Sequence, residues 1–326
     1  MRRPTLKDVA KAAGVSLASA SYAVNRTGSL GEDTRAHILK IAEELGYRQN
    51  LAARAARVGK SGALGLVVPD MTNPFFPSLA QSVVQRARQN GYSVFVTDTE
   101  GDRDQETAII RQLIDRGVDG IVWFPVDDDN RLDRLALDIP IVVLDRTVHG
   151  FECIQADYSE GGRLAAEHLL SLGHTSIGLI SGPSDVKSMR DRCDGAARAI
   201  AQSGKLAFRV ENAFSIDLGR DAVEALDKRE ATAIFCAADL IAVGVLKHAK
   251  DAGLMVPNDL SVIGFDDIPW SAYCTPSLTT VEMPVDEMAS EAVDTLLRRI
   301  DGEGESNRKV VFGVNLVERE STIAAL

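Results

Sequence analysis

Hydrophobic residues recur along this chain in two rhythms, and the first occupies its opening segment. Leu6, Val9, Ala10 and Ala13 fall at i, i+3, i+4 and i+7 behind a Thr5/Asp8 capping pattern, which predicts a short amphipathic helix ending at Gly14. Gly14 can take positive φ at no steric cost, and Ser16 can cap a second helix running through about Val24. On that helix Ala20 and Val24 share a face with Val15 just ahead of it, while Leu17, Ala18, Ser21, Tyr22 and Asn25 point elsewhere. A third helix starts near Glu32 and Asp33, carries Ile38, Ile41, Ala42 and Leu45 at helical spacing, and stops at Gly46. Together these predict a small all-α head with a helix, glycine turn, helix arrangement over residues 1–49.

From Ala63 the rhythm changes to short apolar runs alternating with amphipathic helices. LGLVV, a helix through Val83 and Ala87 to Gly91, SVFV, a helix through Ile109 and Leu113, GIVWF and IVVLD follow in turn. The alternation restarts with CIQAD, the helix GGRLAAEHLLSLG, SIGLIS, a helix around Met189–Ala201, a short strand near Phe208, AIFCAAD and LSVIGFD. This βα repetition predicts two parallel sheets with helices on both faces, hence a two-lobed α/β core over 62–326. LTTVEMP, a helix from about Val285 to Ile300 and KVVFGVNLVERES fit a chain crossing back between lobes. The expected N-lobe is about 62–159 and 283–312, and the C-lobe about 160–282 and 313–326, with 50–61 as connector. Ligands of such sheets sit beyond the carboxyl ends of the strands, so the interlobe cleft is the expected site.

The net charge of −11 changes the picture once it is split. Residues 1–60 carry 11 Lys+Arg against 5 Asp+Glu, a balance of +6, and the remainder carries −17. A basic head on an acidic body is the asymmetry expected when one end meets phosphates. The opening residues lack the apolar core of a signal peptide and no stretch is long and apolar enough to span a membrane, which predicts a cytoplasmic protein. Cys153, Cys193, Cys236 and Cys274 are scattered without a CxxC pair, so free, mostly buried thiols are expected. An enzyme finds little support. His37, His149, His168, His174 and His248 show no metal-ligand spacing, GxSxG and GxGxxG are absent, and Arg54 stands where a phosphate loop ending at Gly59-Lys60-Ser61 needs glycine. Neither metal nor cofactor is expected.

The strings TLKDVAKAAGVS and AEELGYRQN, with the helix between them closing on Asn25, resemble the DNA-binding head of the lactose-repressor (LacI/GalR) family. VVPDMTNPFF, GYSVFVTDTEGD, VDGIV, GGRLAAEHLLSLGH, GFDDIP and PSLTTVEMP are similar to the same family's periplasmic-binding-protein-like core. The resemblance covers essentially the whole chain. It implies a sequence-specific transcription repressor of a catabolic operon, bound as a homodimer to a near-palindromic operator and controlled by a small polar ligand. A carbohydrate or derivative is the first expectation for that ligand, with a nucleobase or nucleoside as the alternative. A stand-alone solute receptor shares the body but would carry a secretion signal and no basic head.

Residue by residue, the resemblance places Leu17, Ala18 and Tyr22 at base-reading positions. Tyr22 stands where relatives commonly carry Arg, so the usual guanine contact does not transfer. Thr5, Ser16, Ser19, Ser21 and Asn25 match phosphate or backbone contacts, although Ser16 as a plain cap and Asn25 as a helix stop fit equally well. NLAARAARV resembles the family's hinge helix, which implies minor-groove contacts from Asn50, Ala53, Arg54, Ala56 and Arg57. Ala56 replaces the usual leucine wedge and Gln49 the usual preceding proline, and a plain linker is the other reading of this segment.

In the core, the resemblance implies Phe75 and Phe76 at the cleft entrance and Asp145, Ser188, Arg192, Phe214 and Asp266 around the ligand. Trp123 and Phe124 end a strand beside them, with core packing as the competing role. One of the Phe75/Phe76 pair opening a helix can equally be core. Asp266 and Asp267 can cap the following turn and Asp239 its helix. Sugar-responsive members often carry Asn where Ala238 stands here.

Overall fold

The computed structural model describes residues 4–25, 27–48, 59–129, 132, 138–303 and 308–325. Two compact units divide the chain after Ser61. The first contains α1 (Leu6–Ala12), α2 (Leu17–Asn25) and α3 (Glu32–Glu44). The Asp8 carboxylate takes the Thr5 N–H at 2.7 Å, which closes the first turn of α1. Gly14 turns the chain at φ +66°, and the Ser16 hydroxyl accepts the Ser19 N–H at 3.0 Å to start α2. Val9, Ala10, Ala13, Ala20, Ala23, Ile38 and Ala42 form the small core. Ala23, not the expected Val24, joins Ala20 inside, because the short residues at i and i+3 let α2 lie close against its neighbours. Leu45, expected on the inner face of α3, is the residue after its last turn and is exposed. The expected hinge residues Asn50, Ala53, Arg54, Ala56 and Arg57 lie outside the described residues.

The second unit begins with β1 (Ala63–Val68), α4 (Phe75–Gln89), β2 (Ser93–Asp98), α5 (Arg103–Asp115), β3 (Gly120–Trp123), β4 (Ile141–Leu144) and β5 (Glu152–Ala156). It continues with α6 (Tyr158–Ser171), β6 (Ser176–Ser181), α7 (Lys187–Ser203), β7 (Lys205–Glu211), α8 (Arg220–Asp227), β8 (Ala233–Cys236), α9 (Asp239–Asp251) and β9 (Ser261–Ile263). A 3₁₀ turn at Pro269–Ala272 leads to β10 (Thr280–Glu282), α10 (Val285–Ile300), β11 (Lys309–Phe312) and β12 (Asn315–Val317).

Six parallel strands in the order β11-β5-β4-β3-β1-β2 make one sheet, and four in the order β7-β6-β8-β9 make the other. Interior strands such as GIVW, IVVL and AIFC are buried along their whole length, as continuous apolar runs between two helical layers require. The edge strands β2, β7 and β11 carry exposed positions instead. CIQAD, where the βα alternation restarts and which falls within the expected N-lobe bounds, is β5 of the first sheet, paired with both β4 and β11. Between the sheets the chain crosses three times, from β5 to α6, from β10 to α10 and from β11 to β12, with β10 and β12 paired antiparallel. All four cysteines are free, three of them buried and Cys274 half-buried.

Helices α6 and α7 meet at two glycines. A Cβ on Gly162 would lie 1.8 Å from the Arg192 carbonyl oxygen, and one on Gly195 would lie 2.0 Å from that of Ser159. Only hydrogen at both positions lets the two backbones come this close. The contact fixes α7, and with it the side chain of Arg192.

Candidate functional site

A cavity of about 700 Å³ lies between the two lobes, a size typical of small-molecule sites. Its wall is built from the carboxyl ends of parallel strands in both sheets. From the first come Asp70 after β1, Asp98 and Glu100 at the end of β2, Phe124 after β3, and Asp145 with Arg146 after β4. From the second come Asp185 and Val186 after β6, Met189 and Arg192 on the first turns of α7, Phe214 after β7, and Asp266 after β9. Strand ends converge there because every strand in each sheet runs the same way.

Two arginine–aspartate pairs form the polar floor. Arg192 donates from Nη1 to Asp266 Oδ1 at 2.8 Å and to the Ala237 carbonyl at 2.7 Å, with its guanidinium 3.9 Å from the Phe265 ring centroid and 5.0 Å from that of Tyr158. Arg146 is paired with Asp145, donates to Ser188 Oγ at 3.0 Å and lies 4.9 Å from the Phe124 ring centroid. The Tyr158 hydroxyl donates to the Asp145 carboxylate. Burial pushes this phenol up to about 12, so it keeps its proton and acts as a donor. Burial raises the Asp266 carboxyl, against the pull of Arg192, and lowers the Arg146 guanidinium. Asp145 and Asp266 sit at φ +68° and +114°, backbone conformations that side chains other than glycine's adopt at a cost. Glu100, also in the lining, sits at φ +52°, so three of the acidic residues around this cavity carry such backbone strain.

Phe75, Phe76 and Phe124 make an aromatic wall, with Phe76 edge-on to Phe124 at 4.7 Å and Phe75 edge-on to Phe76 at 5.4 Å. Phe214 contributes a half-buried ring on the other lobe. Of the residues singled out in the sequence, the structure thus gathers Phe75, Phe76, Phe124, Asp145, Arg192, Phe214 and Asp266 around one cavity. Ser188 stands behind Arg146 and outside the lining. Trp123 is a correction: it is 1 % exposed, donates its indole N–H to Glu106 at 2.9 Å, packs on Phe151 and stays away from the cavity. Successive side chains around a strand end face opposite ways, so Trp123 and Phe124 part company. Asp239 does not cap α9 but lies within its first turn, accepting from Ile268 N–H, Ser271 Oγ and Thr280 Oγ1. Asp267 instead accepts from Arg319 at 2.7 Å.

Arg146 and Tyr158 were not legible as site residues. The signal available was the position of Arg146, a cation directly after Asp145 at the carboxyl end of a buried strand. Tyr158 opens α6 three residues before the apolar pattern that marks this helix in the sequence.

On the head, Leu17, Ala18 and Tyr22 are exposed on α2, with Leu17 and Tyr22 each at 46 %. The Tyr22 ring rests against Gly28, whose added Cβ would meet it at 2.8 Å, and Arg35 holds the Tyr22 carbonyl at 2.9 Å. The Asn25 amide donates to the Ser21 carbonyl at 2.7 Å and lies 3.1 Å from its hydroxyl, tying two of the expected backbone-contact residues together.

Residues 5–50 match the model of bacterial regulatory proteins of the lacI family, and residues 166–322 that of a periplasmic binding protein-like domain. The HTH-type transcriptional regulator DegA of Bacillus subtilis is 34% identical over 331 residues, with 98% of each chain covered. The chain belongs to the LacI family. LacI-family members are DNA-binding transcription regulators, and the relatives found are regulators rather than enzymes. Among solved LacI-family structures, the lac repressor dimer bound to operator and the anti-inducer ONPF superimposes with a TM-score of 0.87 at 27% identity, covering 99% of this chain and all of that one. The complex of the transcriptional regulator CelR with cellobiose gives 0.72 at 26%, covering 98% and 100%.

Proposed function

We propose that the cleft binds a small, polar, ring-shaped effector, a carbohydrate or derivative, and that this ligand controls the binding of a homodimer to a near-palindromic operator. One observation carries the ligand reading: two buried arginine–aspartate pairs and an aromatic wall converge on one cavity at the ends of both sheets. Guanidinium forks and carboxylates supply donors and acceptors for neighbouring hydroxyls, and aromatic faces suit the apolar face of a ring. That the structurally similar CelR was solved in complex with cellobiose supports a sugar as the effector class. A nucleobase is the second reading, because the Phe214 ring offers a stacking surface. Thermal-shift screening of the full chain separates them. A ligand at 100 times its dissociation constant adds about 2.7 kcal/mol to the folded state. Stabilisation by sugars and not by nucleobases is expected, and the reverse pattern overturns the sugar reading.

For the head, Leu17, Ala18 and Tyr22 read bases in the major groove while Thr5, Ser16, Ser19, Ser21 and Asn25 set register. The exposure of Leu17, Ala18 and Tyr22 on one helix supports this, as does the operator complex of the lac repressor dimer. Among the described residues no helix is long and apolar enough to cross a membrane, which agrees with a cytoplasmic regulator. Tyr22→Arg is expected to change the operator chosen from a random library, moving discrimination at one base pair per half-site by about 1–3 kcal/mol. Unchanged selection removes Tyr22 from the reading surface.

A further inference from the structure

We infer that the effector is uncharged: a polyhydroxylated ring carrying no phosphoryl, sulfate or carboxylate group. This rests on the cleft being the effector site, as proposed above, and narrows the ligand class by charge.

The cavity lining holds six carboxylates, from Asp70, Asp98, Glu100, Asp145, Asp185 and Asp266, against three guanidiniums. Its formal charge is therefore −3. All three cations are already committed to carboxylates. Arg146 is paired with Asp145 and Arg192 with Asp266 at 2.8 Å, while Arg103 reaches Asp127 at 2.6 Å and Asp185 at 3.1 Å. Among the described residues, Asp70, Asp98 and Glu100 have no such cationic partner, and they stand together at the ends of β1 and β2. An anionic ligand would enter against this uncompensated charge and meet only cations whose charge is already spent.

At two helix N-termini that border the cavity, the usual alternative for an anion, the first N–H of each helix is held by a side chain of this protein. At α4 the Phe75 N–H goes to Asn73 Oδ1 at 3.1 Å, and at α7 the Lys187 N–H goes to Asp128 Oδ2 at 2.6 Å. What the site does offer is donors and acceptors side by side. Arg146 Nε and Arg192 Nε are buried with no hydrogen-bond partner among the described residues, so donor capacity exceeds what the pairs themselves use. The adjoining Asp145 and Asp266 carboxylates only accept. A hydroxyl does both and brings no charge. A cationic amine accepts nothing, so it leaves the arginine donors unmet.

The test is thermal shift followed by calorimetry on the full chain at constant ionic strength, with matched neutral and anionic probes. The pairs are glucose with glucose 6-phosphate and with glucuronate, ribose with ribose 5-phosphate, cellobiose with cellobiose 6′-phosphate, and adenosine with its 5′-monophosphate. For any pair that binds, the neutral member is expected to bind at least about tenfold more tightly, and Asp70→Asn with Glu100→Gln should narrow that gap several-fold. Both substitutions keep the side-chain shape, and the amide oxygen introduced by Asp70→Asn can still accept the Thr72 N–H and O–H that Asp70 holds at 2.7 and 2.6 Å. A phosphorylated or carboxylated sugar that binds as tightly as its parent overturns the inference while leaving the sugar reading standing. Adenosine binding alone, with the monophosphate much weaker, overturns the sugar reading and supports charge exclusion. No response to any uncharged probe counts against both.

Discussion

Arg192→Ala is expected to weaken effector binding by at least about tenfold and to cost the folded protein about 3–5 kcal/mol, the usual penalty for stranding one member of a buried ion pair. The side chain is 2 % exposed, and its removal leaves Asp266 without its cation at 2.8 Å, the Ala237 carbonyl without its donor and a gap over the Phe265 ring. The affinity loss has its own scale, roughly 1.5–3 kcal/mol for each charge-assisted hydrogen bond to ligand. A pH series separates electrostatics from simple loss of packing. Burial already holds the Asp266 carboxyl above its ordinary value, and losing Arg192 raises it further. A folded-state pKa above the unfolded value favours the folded state below the unfolded pKa and loses that advantage as pH rises through the folded one. The deficit of the variant should therefore shrink as the pH falls from 8 towards 5. Chemical denaturation at both pH values checks this, and a deficit independent of pH assigns Arg192 to packing alone.

Gly162→Ala is expected to destabilise the core by about 3 kcal/mol, at the upper end of the range for overpacking. Its Cβ would lie 1.8 Å from the Arg192 carbonyl oxygen, whereas a carbon–oxygen contact needs about 3.3 Å, so α6 and α7 must move apart by more than about 1 Å. Because the obstructing atom is backbone, no rotamer relieves the clash. The shift also carries Arg192 away from Asp266, so effector affinity should fall together with stability. Gly313→Ala is the control, since its Cβ meets nothing within 4 Å and its φ is not in the left-handed region. Equal midpoints for Gly162→Ala and wild type in urea would show that the helices are not locked at this contact.

The fold was legible because each interior strand is an apolar run bounded by a turn residue, and each helix repeats its apolar positions at 3.6. Period alone does not assign a strand to a sheet: the βα alternation restarts at CIQAD, yet this strand pairs with β4 and β11 in the first sheet, inside the expected N-lobe bounds. The site was legible through the family resemblance, which implied Asp145, Phe214 and Asp266, and each of these follows a strand end at the cavity. Trp123 was misplaced for a local reason: its neighbour Phe124 lines the cavity, and alternation then sends Trp123 to the opposite side, onto Glu106. Arg146 and Tyr158 escaped notice because their role depends on a contact between distant segments. Tyr158 reaches Asp145 across the β5 crossing, and Arg146 meets Ser188 of the other lobe. Ala23 replacing Val24 inside the head has a similar cause, since the fit between α2 and its neighbours decides which of two adjacent small residues turns inward.

On the proposed reading, a ligand held by Arg192 and Asp266 in the cleft governs DNA binding by the head. Operator selected from a random library and titrated with the full chain, with and without a saturating concentration of the sugar found by thermal shift, tests it most directly. Allosteric coupling of the ordinary size is 1–3 kcal/mol, so operator affinity should change by about 5–150-fold in wild type. The Asp266→Asn variant, with its weakened ligand contact, should show little change at the same sugar concentration. A rise in affinity identifies a corepressor and a fall an inducer. Identical operator affinities with and without a sugar that calorimetry shows bound would mean that the cleft does not control the head.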